Sequence, residues 1–132
     1  MSRSFLALLL LALVPLQPGL AQAPAQPAAE GDAPNMGRAP LGPNRGGRLD
    51  LRVFDESGRP VPGAYAHLES RLPNDYLAES WNTTDARGVA VLPPIGMGRL
   101  TLTVKARGYR RLRLTPDPST FGQPLRVTLQ RK

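Results

Sequence analysis

No cysteine occurs anywhere in the chain. That excludes disulfides, a thiol nucleophile, thiolate metal ligands and a thiol for bacterial lipid attachment. Histidine occurs once, as His67, so no second histidine or cysteine exists to complete a transition-metal site, and none is expected. Aromatic residues are sparse, with one Trp, three Tyr and three Phe. Few bases could stack on such a surface, which argues against a nucleic-acid partner. Lysine is nearly missing as well: of the 17 basic residues, all but Lys105 and Lys132 are arginine, a composition that suggests a GC-rich bacterial genome. Long hydrophobic runs are also lacking. The longest stretch, Phe5 to Val14, falls short of the ~20 residues that cross a bilayer as a helix.

That short run sits where an export signal would. Met1-Ser2-Arg3-Ser4 is a cationic start, the apolar run follows, and Pro15 breaks it. Gly19-Leu20-Ala21 fits the small-x-small cleavage rule and predicts a signal peptide over 1–21, cut after Ala21. The product is then secreted or periplasmic, with no transmembrane segment left after cleavage. Gln22 to Arg45 follows, rich in Pro, Ala and Gly. It buries too little apolar surface to offset its ordering entropy, so residues 22–45 read as a disordered, extended linker.

Residues 46–132 read as the folded domain. Leu49, Leu51 and Val53 alternate with Asp50, Arg52 and Phe54; Ala64, Ala66 and Leu68 alternate with Tyr65, His67 and Glu69. Leu77 to Thr83 is a weaker third strand, and Ala90 and Leu92 face inward before Pro93-Pro94. Leu100, Leu102 and Val104 alternate with Thr101, Thr103 and Lys105. Leu112 and Leu114 alternate with Arg111 and Arg113, and Leu125, Val127 and Leu129 with Arg126, Thr128 and Gln130. Period-two alternation with no helical period predicts an all-β, seven-stranded antiparallel β-sandwich. The small Ala64, Ala66 and Ala90 predict a thin core. Leu72-Pro73-Asn74-Asp75-Tyr76 reads as a loop.

Two stretches punctuate these strands: Asp55-Glu56-Ser57-Gly58-Arg59-Pro60-Val61-Pro62-Gly63-Ala64 and the run from Thr84-Asp85-Ala86-Arg87-Gly88 to Gly108-Tyr109. Their glycines permit tight reversals, their prolines keep links unpaired, and their aspartates read as turn formers that bond backbone N–H groups. Together with Gly98-x-Leu100-x-Leu102-x-Val104, they resemble carboxypeptidase regulatory-like domains over most of Leu49 to Leu129. The resemblance implies a Greek-key, transthyretin- or prealbumin-like sandwich in a carbohydrate-binding-like superfamily, acting as a non-catalytic module. Ala90, where such domains often carry an aromatic, and Met97 depart from the pattern.

Enzymatic chemistry fails on inventory. A Tyr65/His67/Glu69 ladder on one outward strand face is the nearest thing to a proton-transfer group, and ordinary polar exposure accounts for it. Transthyretin-like hydrolases use several histidines and a characteristic C-terminal tetrapeptide, and this chain has neither. Ca²⁺ needs six or more oxygens; Asp75 and Glu79 could join Asp85, but nothing in the sequence enforces it, so no metal and no cofactor are assigned. Asn82-Thr83-Thr84 matches a glycosylation acceptor that carries no meaning in a typical bacterium.

The strongest functional signal is a basic cluster, Lys105, Arg107, Arg110, Arg111 and Arg113. A loop at Gly108-Tyr109-Arg110 would set Arg107 opposite Arg111 and Lys105 opposite Arg113. Like charges so placed repel, and an anionic partner would relieve them, with Tyr109 at the tip. The alternative is a charged edge that blocks strand-to-strand aggregation. Trp81, either core or platform, and Tyr76 are the remaining candidate contacts. The expected role is binding of a protein or of an acidic or neutral polysaccharide. Two forms of it are open: a protein or envelope-polymer binder, and a carbohydrate-binding module that uses these aromatics.

Overall fold

Alternation in the sequence becomes two packed sheets. The computed structural model describes residues 33–132. The expected leader, 1–21, and the start of the expected linker, 22–32, lie outside the described residues. Seven strands run in order: β1 (Gly46–Asp55), β2 (Tyr65–Arg71), β3 (Leu77–Thr83), β4 (Val89–Gly96), β5 (Arg99–Lys105), β6 (Leu112–Leu114) and β7 (Leu125–Leu129). One sheet has the order β4-β1-β7 and the other β3-β2-β5-β6. The described residues form a nearly all-β sandwich.

Between the sheets lie the predicted inward residues. Leu51, Val53, Leu68, Leu92, Leu102 and Val104 are buried, joined by Phe121 from the loop before β7. Ala64, Ala66 and Ala90 are buried in the same core, as the expected thin packing requires.

The turns form as their residues dictate. Asp55 Oδ1 accepts from the Ser57 and Arg59 N–H groups at 2.8 and 3.0 Å. Gly58, at φ +83°, closes back on the Asp55 carbonyl. Asp85 repeats the device, accepting from the Arg87 and Val89 N–H groups at 2.8 and 3.1 Å. Gly88 stands at φ +78°, and a Cβ there would meet the Val53 carbonyl oxygen at 2.5 Å. Two constraints thus exclude any other residue there. Leu72 to Tyr76 is the expected loop, held by Leu72 N–H to the Tyr76 carbonyl at 2.9 Å.

Three features differ from the sequence-based expectation. First, the sandwich is not wholly antiparallel: β1 pairs with β7 in parallel, Leu51 opposite Leu125 through Asp55 opposite Leu129. Alternation reports which face is buried and is blind to strand direction.

Second, Asp50, Arg52 and Phe54 do not form an outward face. All three are buried, Asp50 completely. Arg52 Nε and Nη2 bond both carboxylate oxygens of Asp50 at 3.0 Å, and the Arg126 guanidinium lies 4.1 Å over the Phe54 ring.

Third, residues 33–45 are not a free spacer. The Met36 N–H donates to Asp50 Oδ2, and Arg52 Nη2 donates to the carbonyls of Ala33 and Pro34. Arg38 and Arg48 exchange backbone bonds at 2.9 Å, and Asn35 Nδ2 donates to the Gly122 carbonyl. The segment straps the outer face of the three-stranded sheet. Its own side chains bury little, so composition reads it as disordered; its backbone is what the buried ion pair holds.

Candidate ligand-binding surface

With the strap on one sheet, the outer face of the other stays open. Register fixes what it displays. Across β3, β2 and β5 the partners are Thr83–Tyr65–Lys105, Trp81–His67–Thr103, Glu79–Glu69–Thr101 and Leu77–Arg71–Arg99. β6 adds Arg113 opposite Thr103. These positions alternate with the core set Ala66, Leu68, Leu100, Leu102 and Val104, so all stand on the solvent side.

Aromatic groups cluster at one end. Trp81 is 57% exposed and is no core residue. It stands directly opposite His67. Tyr65 stacks on His67 with ring centroids 6.3 Å apart, and Lys105 Nζ lies 5.9 Å from the Tyr65 ring centroid. His67 sits between carboxylates: Nε2 is 3.0 Å from Glu79 Oε1 and Nδ1 is 3.7 Å from Glu69 Oε1.

The basic cluster is arranged differently from the expected hairpin. Thr103, not Lys105, stands opposite Arg113, and Val104 stands opposite Leu112. The cause lies in the connection. The Tyr109 N–H closes on the Ala106 carbonyl at 3.0 Å, making the turn one step earlier than expected. The next residues are drawn to the C-terminal end: Tyr109 bridges Arg131, the Arg110 N–H donates to the Gln130 carbonyl, and the Lys132 N–H donates to the Gly108 carbonyl. Residues committed to that bridge cannot pair with β5, so the register of β6 moves. Tyr109 is no tip: it is half-buried, packs against the core and carries the Arg131 guanidinium 5.5 Å from its ring centroid.

The bridge gathers some of the cluster and separates the rest. Lys105, Arg107 and Arg111 line an open cleft of about 540 Å³ together with Lys132 and Tyr109. Arg113 lies on the sheet face. Arg110 lines a separate depression with Thr128 and Gln130, and Arg111 lines both. Tyr76 is 62% exposed, but it precedes β3 and stands five residues from Trp81, roughly 17 Å along an extended strand. The two do not form one platform.

Sequence reasoning missed Glu79, Thr101, Thr103 and Lys132 as members of this surface. Each is adjacent only through strand register or the C-terminal bridge, and no local signal encodes either. Among the described residues no helix is long and apolar enough to cross a membrane. Compared with known proteins, the chain matches no family model, and no curated protein is significantly similar to it.

Proposed function

We propose that the chain is a non-catalytic, exported module of the carboxypeptidase regulatory-like kind, with Greek-key, prealbumin-like topology, that binds an anionic polysaccharide of a bacterial envelope or its surroundings. The observation that carries this reading is one continuous surface. It runs from the exposed Trp81 past His67 and Tyr65 to Lys105 and into the cleft with Arg107, Arg111 and Lys132. Sugar rings stack their C–H faces on aromatic rings, the Thr101 and Thr103 hydroxyls offer donors and acceptors to sugar hydroxyls, and the cations answer carboxylates or sulfates.

A non-catalytic role is favoured by the neighbours of His67. Its Nε2 is taken up by Glu79 at 3.0 Å, and among the described residues no serine or cysteine stands against either ring nitrogen as a nucleophile would. A second reading, a protein partner, is favoured by β3, a seven-residue strand at the end of its sheet. Its edge lies alongside β4, where Ser80 and Asn82 bond the Pro93 and Val91 carbonyls, so a partner would meet its exposed side chains, Leu77 and Trp81, rather than its backbone.

The test is binding of the purified chain to a polyuronate and to a neutral glucan at low and raised salt. Polyuronate binding that weakens with salt is expected, falling about tenfold or more in an Arg107→Ser/Arg111→Ser variant, roughly 1.4 kcal/mol. Trp81→Ala should weaken it as well. No binding to either polymer would overturn the polysaccharide reading and leave the protein partner.

A further inference from the structure

The open face carries a second arrangement, built on the His67 that the polymer surface passes and on two carboxylates that an anionic polymer would not use. His67, Glu69 and Glu79 each present one metal-ligating atom, and the three atoms lie within 4.8 Å of one another. We propose that they form a binding site for a first-row divalent cation of the Zn²⁺, Co²⁺ and Ni²⁺ class.

The first argument is placement. Glu69 and Glu79 are direct cross-strand partners on β2 and β3, and His67 is two residues along β2 on the same face. All three side chains rise from the middle of paired strands, so the ladder fixes their origins before any ion arrives. Sites built on such elements hold their geometry better than sites on loops. The Tyr65 ring, nearly parallel to His67 at 17°, limits how the imidazole can turn.

The second argument is charge. Two carboxylates directly opposite one another repel, and no lysine or arginine forms an ion pair with either Glu69 or Glu79 among the described residues. No cation of this face stands in the Glu79–Glu69–Thr101 row: Lys105 pairs with Tyr65, Arg71 with Leu77 and Arg99, and Arg113, in the His67 row, is two strands away from His67 beyond Thr103. A divalent ion between the carboxylates would turn their repulsion into attraction.

The third argument is the donor set. An imidazole with two carboxylates suits Zn²⁺ and its neighbours, whereas Ca²⁺ takes six or more oxygens. Zinc binds nitrogen and carboxylate oxygen at roughly 2.0–2.2 Å. Two tetrahedral ligands on one ion therefore stand about 3.4 Å apart; His67 Nε2 and Glu79 Oε1 are 3.0 Å apart in a hydrogen bond, and an ion that displaces its proton needs the two atoms to part by only a few tenths of an ångström. Glu69 completes the set by swinging its carboxylate from Nδ1 toward Glu79. All three side chains are partly exposed, at 22%, 40% and 45%, so an ion has an open approach. Three protein ligands leave the remaining positions to water, on the solvent side of the sheet.

This site stands independently of the polysaccharide reading, because a chain that binds no polymer would still hold the ion. Its test has a built-in reporter: Trp81, the only tryptophan, is the direct cross-strand partner of His67. Titrating the full chain with Co²⁺ or Ni²⁺ should quench Trp81 fluorescence saturably at one ion per chain. Zn²⁺ should displace the quencher, and a chelator should restore the signal.

His67→Ala should raise the apparent Kd at least tenfold, and Glu79→Gln should do likewise. Asp75→Asn, a control on the neighbouring loop, should change nothing. Circular dichroism identical to that of the unaltered chain shows that a variant has folded, and Zn²⁺ calorimetry gives the stoichiometry without the fluorophore. Non-saturating quenching of the unaltered chain, or one-to-one binding that survives His67→Ala, would overturn the proposal. With no other histidine and no cysteine in the chain, imidazole-dependent binding has no other place to occur.

Discussion

At the scale of single residues, the turn aspartates carry the clearest chemistry. The Arg59 N–H, then the Ser57 hydroxyl, hold the Asp55 carboxyl down at about 2 from an ordinary 3.8, with smaller help from the Ser57 N–H and Arg131. At Asp117 the Ser119 N–H and hydroxyl also lower the pKa. Burial alone would raise that of Asp85, but the Val89 N–H and the Arg87 side chain outweigh it and the net shift is downward. A depressed carboxylate contributes stability that is complete above its unfolded pKa and is lost as pH falls through the folded value. The urea midpoint should therefore drop between about pH 4 and pH 2. Asp55→Asn should lower stability at neutral pH and flatten part of that acid slope. An unchanged slope in the variant would place the acid sensitivity elsewhere.

At the scale of elements, Thr84 ties together the two stretches that organise the sequence. Its hydroxyl donates to the Val61 carbonyl at 2.7 Å and accepts from the Ala64 N–H at 2.8 Å. Its backbone bonds Gly63 and Ala64 as well. Thr84→Val keeps the shape and strands both groups in a buried position, so it should cost about 1–3 kcal/mol in chemical denaturation. A loss within experimental error would mean that water replaces the hydroxyl. These turns were legible because their causes are local: a short acid, a glycine at positive φ and a proline with no donor act within five residues. The strands were legible for the same reason, since alternation is a property of neighbours. The register of β6 was not. It depends on Tyr109 and Arg110 being held by Gln130 and Arg131, twenty residues away, and the grouping of Lys105, Arg107 and Arg111 with Lys132 follows from that bridge alone.

At the scale of the whole molecule, strand β1 decides how much is folded. Its sequence reads as half-buried, yet it lies between β4 and the parallel β7 with one face on the core and the other under the strap. Alternation failed here because a charged pair, Asp50 with Arg52, can be buried once its remaining donors and acceptors find backbone partners. Those partners, Ala33, Pro34 and Met36, come from the stretch whose composition argues for disorder. The two views of residues 33–45 predict different behaviour. If they were only a spacer, a chain beginning at Gly46 would melt at the same temperature as one beginning at Ala33. With the strap observed, the shorter chain loses the bonds to Asp50 and Arg52 and the Arg38–Arg48 bridge, and opens the face that holds Phe54. Bonds to charged groups are each worth about 1.5–3 kcal/mol, and the entropy of ordering the strap offsets part of that. The chain from Gly46 should therefore be less stable by about 2–4 kcal/mol and melt several degrees lower. In the longer chain, Arg52→Met would leave Asp50 buried without its guanidinium and should cost about 3–5 kcal/mol, whereas in the shorter chain, where water reaches Asp50, the same substitution should cost far less. Equal penalties in the two chains would mean that the strap does not cover the pair, and the folded unit would then begin where the sequence alone places it.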